Sequence, residues 1–127
     1  MSAAIHRLKF ESDLLKTGAI SPPLLEELFR TVDESVSYSL EVASGVTDTD
    51  LPGFGSGNAA IATIQSLVVL SDKNVVLNVN GADISMIVST GHRYACVILW
   101  GISTTTVPHI TNSGTDTATL IVLGGGT

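Results

Sequence analysis

Apolar and polar residues alternate with period two from Val36 to Val42. Val36, Tyr38, Leu40 and Val42 interleave with Ser37, Ser39 and Glu41, the pattern of a strand with one buried and one wet face. Further apolar runs follow at residues 59–70, 74–79, 82–88, 94–100, 104–111 and 117–123, with a short strand expected within residues 46–51. They are separated by residues that turn chains: Ser71 to Lys73, Asn80-Gly81, Ser89 to Gly91, Gly101, and Asn112 to Gly114. Strands at this spacing predict a sandwich or barrel and not parallel βαβ units. The sharpest local signal is Asn80-Gly81, which supplies positive φ at both central positions of a two-residue type I′ hairpin turn.

One stretch departs from period two. Leu24, Leu25, Leu28, Phe29 and Val32 form a stripe at helical spacing, Ser21 can cap, Pro22 suits a first turn, and Glu26 and Glu27 sit near the positive end of the dipole. These features predict a helix over about residues 22–34, packed on the sheet or presented to a partner. Residues 1–20 fit two patterns: Ile5, Leu8, Leu14 and Leu15 are loosely helical, whereas Leu8 to Glu11 alternate like a strand. They are read as an N-terminal arm or edge segment, ahead of a single domain of residues 21–127. The fold class expected is mainly β: an antiparallel β-sandwich, jelly-roll-like, of seven or eight strands with one helix.

Residues 52–57 read as a mobile glycine-rich loop carrying an exposed aromatic, Phe54. No Lys-Ser or Lys-Thr follows, and the glycine spacing matches neither the P-loop nor the dinucleotide fingerprint, so phosphate binding is not expected. Gly124 to Thr127 read as a flexible tail.

Composition narrows the class. The chain has 127 residues, long enough for one sizeable core. Hydrophobic residues make up 44% but aromatics only 5%, which favours β layers over an aromatic-lined pocket. Six Lys and Arg against 12 Asp and Glu give a net charge of −6, which repels phosphate backbones and anionic lipid, so neither nucleic acid nor a membrane surface is expected as a partner. Ten of the 18 charged side chains fall in residues 1–34. The single Cys96, within an apolar run, excludes an intrachain disulfide and reads as a buried inert thiol. With no secretory signal pattern and no unbroken apolar run of about 18 residues, folding in a cytoplasm is expected.

Candidate chemistry is sparse. His6, His92 and His109 belong to unrelated segments, and no close-spaced pair of zinc ligands occurs. Asp48, Asp50, Asp72, Asp83 and Asp116 lie in or near loops without the EF-hand spacing and read as solvated turn residues. No Gly-x-Ser-x-Gly elbow is present. Trp100, the only tryptophan, reads as core packing and not as part of an aromatic sugar site. No catalytic, cofactor-binding or metal-binding residue is therefore assigned, no cofactor is expected, and the chain does not read as an enzyme. Threonine is abundant in the second half, at 104–106, 111, 115, 117 and 119; an uncharged β surface of this kind leaves sheet edges open to pairing.

The segment from Ile110 to Gly125, with its Asn112-Ser113-Gly114 turn, its threonine- and alanine-bearing strand and its closing glycines, resembles the last strands of small β-sandwich virion proteins of tailed bacteriophages. The upstream order of Leu70 to Val75, Asn80-Gly81, Gly91 and a strand ending in Trp100 is similar too, and the resemblance covers about residues 65–125. It implies a non-enzymatic structural component of a virion, assembled in the host cytoplasm as a symmetric homo-oligomer. The implied partners are the major capsid protein, in a decoration or cement role, or neck and tail proteins near the head-tail connector. On this reading Ile5, Leu8, Phe10, Leu14 and Phe54 are the candidate contacts with neighbouring subunits. The alternative is a glycan- or receptor-binding module of fibre or adhesin type, using loops at one end of the sandwich.

Overall fold

The computed structural model describes residues 34–55 and 61–127 in full and, ahead of them, the backbone of four strands. In chain order the strands are β1 (Ala4–Ser12), β2 (Leu15–Lys16), β3 (Ala19–Ile20), β4 (Leu24–Val32), β5 (Glu34–Val42), β6 (Thr49–Asp50), β7 (Ile64–Ser71), β8 (Val75–Val79), β9 (Ala82–Met86), β10 (Ala95–Thr104), β11 (His109–Thr111) and β12 (Ala118–Gly126). The protein is mainly β. Two four-stranded sheets, ordered β10-β7-β12-β5 and β6-β11-β8-β9, carry the body, and β1-β4 and β2-β3 form two-stranded ladders. Among the described residues every strand pairing is antiparallel.

The core lies between the two large sheets. Leu67, Val69, Leu120 and Val122 point inward from one, and Val75, Leu77, Met86 and Ile110 from the other. The alternation read from Val36 to Val42 is realised: the apolar positions of β5 pack against this core while Ser37, Ser39 and Glu41 face solvent. The β8–β9 hairpin turns at Asn80 and Gly81, with φ of 53° and 82°, and Val79 pairs Ala82 across it.

The helix expected over residues 22–34 is not formed. Leu24–Val32 is strand β4, paired with β1 in a register that sets Leu28 opposite Leu8 and Glu27 opposite Lys9. Leu24, Leu28 and Val32 are spaced by four, an interval that returns to one face in a helix and in a strand alike. An isolated helix of this length is marginal in water, so the available partner strand decides. Of the two patterns weighed for residues 1–20, the strand is realised over Ala4–Ser12.

Four further expectations are corrected. Gly101, read as a separator, lies inside β10 at φ +77°, and the pairing register with β7 shifts between Trp100 and Thr104, as a bulge allows. The strand expected over residues 104–111 is split, since β10 ends at Thr104 and β11 begins at His109. The glycine tail is strand: Gly124, Gly125 and Gly126 pair with both β5 and β7. Thr127 locks it further, its amide donating to the Thr63 carbonyl and its carbonyl accepting from the amides of Ala62 and Thr63. Glycine is needed there because a Cβ at Gly126 would collide with the Thr63 carbonyl and one at Gly124 with the Phe54 ring. Phe54 itself is 4% exposed: its ring fills the space that Gly124 leaves, so it is not an exposed aromatic of the loop. Its neighbours at residues 56–60, where the first long apolar run was expected to begin, lie outside the described residues.

Candidate interaction face

Register places the outward residues of the β10-β7-β12-β5 sheet in rows. One row runs Cys96, Leu70, Ile121, Ser39; the next runs Ile98, Val68, Leu123, Ser37; a third runs Trp100, Ser66, Gly125, Ser35. Three adjacent strands thus place apolar side chains on this face, with Val68 and Ser66 in its middle buried, and the fourth, the edge strand β5, offers serines. Ile121 is 42% and Leu123 38% exposed. Tyr94, exposed beside the start of β10, extends the apolar strip. Across these three rows no charged residue occurs, although water-facing strand surfaces ordinarily carry charge.

The sequence causes this directly. Leu67 to Leu70, Cys96 to Trp100 and Leu120 to Leu123 are unbroken apolar runs, so their strands are apolar on both faces, as in sheets covered on both sides. Trp100 is not in the core, contrary to expectation: on an edge strand its inward neighbours are Val97 and Leu99, and its own position is on the outer face, in the row that ends Ser66, Gly125. Cys96 is likewise exposed and not buried, because even positions of β10 ahead of the Gly101 bulge point outward; partial burial by its neighbours pushes the thiol up from 9.0. Both edges of this sheet, β5 and β10, are free of Lys, Arg and Pro, the devices that usually discourage pairing.

The loops at one end of the sandwich form a polar depression of about 460 Å³ that brings together Asp72, Lys73, His92 and Asp116. Its polar groups are engaged in holding turns. Asp72 Oδ1 accepts from the Thr119 amide at 2.7 Å, and Lys73 lies 3.9 Å from Asp116, both exposed. The fully buried Asn112 donates to the carbonyls of Val42 and Asp116 and accepts from the Gly114 amide. His109 is elsewhere, 3.0 Å from Asp50, and Asp48 meets Thr111. Among the described residues no group of three or more His, Cys, Asp or Glu side chains converges.

Of the contact residues read from sequence, Phe54 is in the core and so is not a surface contact. Ile5, Leu8 and Phe10 lie on β1, where register sets Leu8 and Phe10 on one face and Ile5 on the other; Leu14 lies outside the described residues. Ile98, Leu70, Ile121 and Leu123 were not singled out from sequence. The signal was the set of unbroken apolar runs on strands that alternation alone would make half polar.

The class defined by this fold and face is a mainly β protein of two antiparallel sheets with an uncharged, largely apolar stretch on the outer face of one of them. No family model, no curated protein and no solved structure matches the chain.

Proposed function

We propose that the chain is a non-enzymatic structural component of a tailed-phage virion, assembling as a symmetric oligomer and binding the capsid, as a decoration or cement protein, or the neck and tail. The observation that carries this reading is the three uncharged, largely apolar rows on the outer face of the β10-β7-β12-β5 sheet. An exposed apolar surface bordered by polar residues is the mark of a protein contact, and symmetric repetition buries it in every copy. The strand orders support a jelly-roll reading: eight strands, β5 to β12, divide into two sheets of four, and only β8 and β9 are neighbours both in sequence and in a sheet. Jelly rolls recur in viral shells, an analogy that adds to the reading without assigning it.

Light scattering on the purified chain across a wide concentration range tests the assembly. The expected result is a stable multiple of the 13.2 kDa chain, reduced when Ile121 and Leu123 are both changed to Lys while the β-type circular dichroism is kept. A strict monomer at every concentration overturns the assembly. Proteomics of density-banded particles tests the virion: a fixed copy number relative to the major capsid protein supports it, and absence from particles overturns it. The polar depression around His92, Asp72 and Asp116 favours a second reading, a glycan- or receptor-binding module, for which a glycan array is the direct test.

A further inference from the structure

A sheet ends in strands whose outward amides and carbonyls have no partner within it. The two large sheets end in β5, β10, β6 and β9, and these four edges are unlike. β6 has two residues, and β9 has five with Asp83 among them; short or charged edges resist pairing. β10 is long, but its register with β7 shifts between Trp100 and Thr104, and a bulge turns an edge aside. β5 carries none of these devices. Its nine residues pair without a shift, from Glu34 opposite Gly126 to Val42 opposite Ala118, and among the described residues no strand pairs with its other side.

The side chains of β5 show what fits beside it. Val36, Tyr38 and Leu40 pack against the core yet are only half-buried, whereas Leu120 and Val122 on the flanked strand β12 are fully buried. A further strand beside β5 completes their cover. Glu34 and Glu41 lie near the two ends of β5, and the six residues between them carry no charge.

A second copy of β5 laid antiparallel, with Tyr38 opposite Tyr38, pairs all nine residues. Glu34 then meets Val42, Glu41 meets Ser35, and Val36 meets Leu40 on the core side. No carboxylate faces another. A slip of one residue in either direction brings core-facing side chains level with outward ones, and in one direction it also sets Glu34 opposite Glu41. Parallel alignment in register sets each glutamate opposite itself, and like charges directly opposite destabilise. Charge and parity thus select one register with one partner, which is β5 itself.

We propose that β5 is a homodimer edge: two copies of this chain pair antiparallel along residues 34–42 about a twofold axis at Tyr38, joining two four-stranded sheets into one of eight. The axis stands perpendicular to the sheet, so the outer faces of the two copies lie side by side on one surface. This rests on the assembly reading and names its contact.

Ser35 and Glu41 provide the test in the full chain, because they meet only across this interface. Both are exposed, and along one strand they stand roughly 20 Å apart, well beyond the screening length of about 8 Å at physiological salt. Light scattering on dilution gives the dissociation midpoint of the parent, of Ser35→Glu, of Glu41→Lys and of the double variant, with circular dichroism confirming that each keeps its strands. In the parent background Ser35→Glu places two pairs of like charges across the axis and should weaken association by about two- to thirty-fold. In the Glu41→Lys background the same change makes two opposite-charge pairs and should strengthen association by a similar factor. Net charge does not produce this reversal, since Ser35→Glu makes the chain more negative in both backgrounds. If Ser35→Glu acts in one direction in both backgrounds, or in neither, the β5 contact is overturned, and a chain that is still oligomeric leaves the assembly reading standing. A chain that is strictly monomeric at every concentration overturns both.

Discussion

The ring of Phe54 occupies the space above Gly124, where any Cβ would overlap its Cε1 and Cζ atoms. The loop after β6 is thereby pinned to the last strand, and a residue that looked like a surface aromatic becomes part of the core. Gly124→Val should destabilise the protein by about 1–3 kcal/mol through overpacking. Phe54→Ala should cost about 3–5 kcal/mol through the cavity left behind. Urea unfolding of the two variants checks both, and a Phe54→Ala variant as stable as the parent would mean the ring is not packed there.

Gly101 sets the opposite case. A Cβ there meets nothing within 4 Å, and only its φ of +77° resists substitution. Gly101→Ala is therefore expected to cost about 1–2 kcal/mol, the strain of a left-handed residue alone. A loss well above this would show that the bulge in β10 is also sterically closed.

Asn112 is completely buried and its amide makes two donated bonds, 3.0 Å to Val42 O and 2.9 Å to Asp116 O. Asn112→Ala leaves both carbonyls without their donor and should destabilise by about 1–3 kcal/mol per orphaned group. Asn112→Asp should be worse than a size change explains, since a carboxylate cannot donate. Thermal unfolding of the pair, with Ser113→Ala as a neighbour on the surface, separates the hydrogen-bonding role from general disturbance of the turn.

Tyr38 donates its hydroxyl to the Pro52 carbonyl at 2.8 Å, and burial pushes its phenol from 10.0 up to about 12. The folded state therefore holds the proton more tightly than the unfolded chain. Its contribution to stability is complete below pH 10 and is lost as the pH rises through about 12. Melting temperatures measured from pH 9 upward should fall in this window for the parent and less steeply for Tyr38→Phe. Identical pH profiles would show that the phenol does not contribute.

Much of the body was legible because its signals are local. Asn80 and Gly81 turn the chain with their own backbone preferences, and the serines of β5 alternate with core residues because a strand has only two sides. Both readings need no knowledge of a partner. The same holds for the mainly β class, which follows from many short β-branched runs cut by turn residues.

Where reading failed, the deciding partner was distant in sequence. Leu24, Leu28 and Val32 share a face in a helix and in a strand alike, whereas Leu25 and Phe29 join them only in a helix, and pairing with β1 overrode that pattern by supplying cross-strand hydrogen bonds. Gly124 to Gly126 look like a flexible end until Phe54 approaches Gly124, and Thr63 approaches Gly126, too closely for any side chain. Cys96 and Trp100 sit in an apolar run that reads as core, yet their parity on an edge strand turns them outward. The sequence by itself determined most of the strand-forming segments of the body, the turns and the net acidic charge, because those depend on nearest neighbours and composition. Only the tertiary structure decided which apolar residues face the core and which form the outer face, because inside and outside on a sheet are defined by what packs across it.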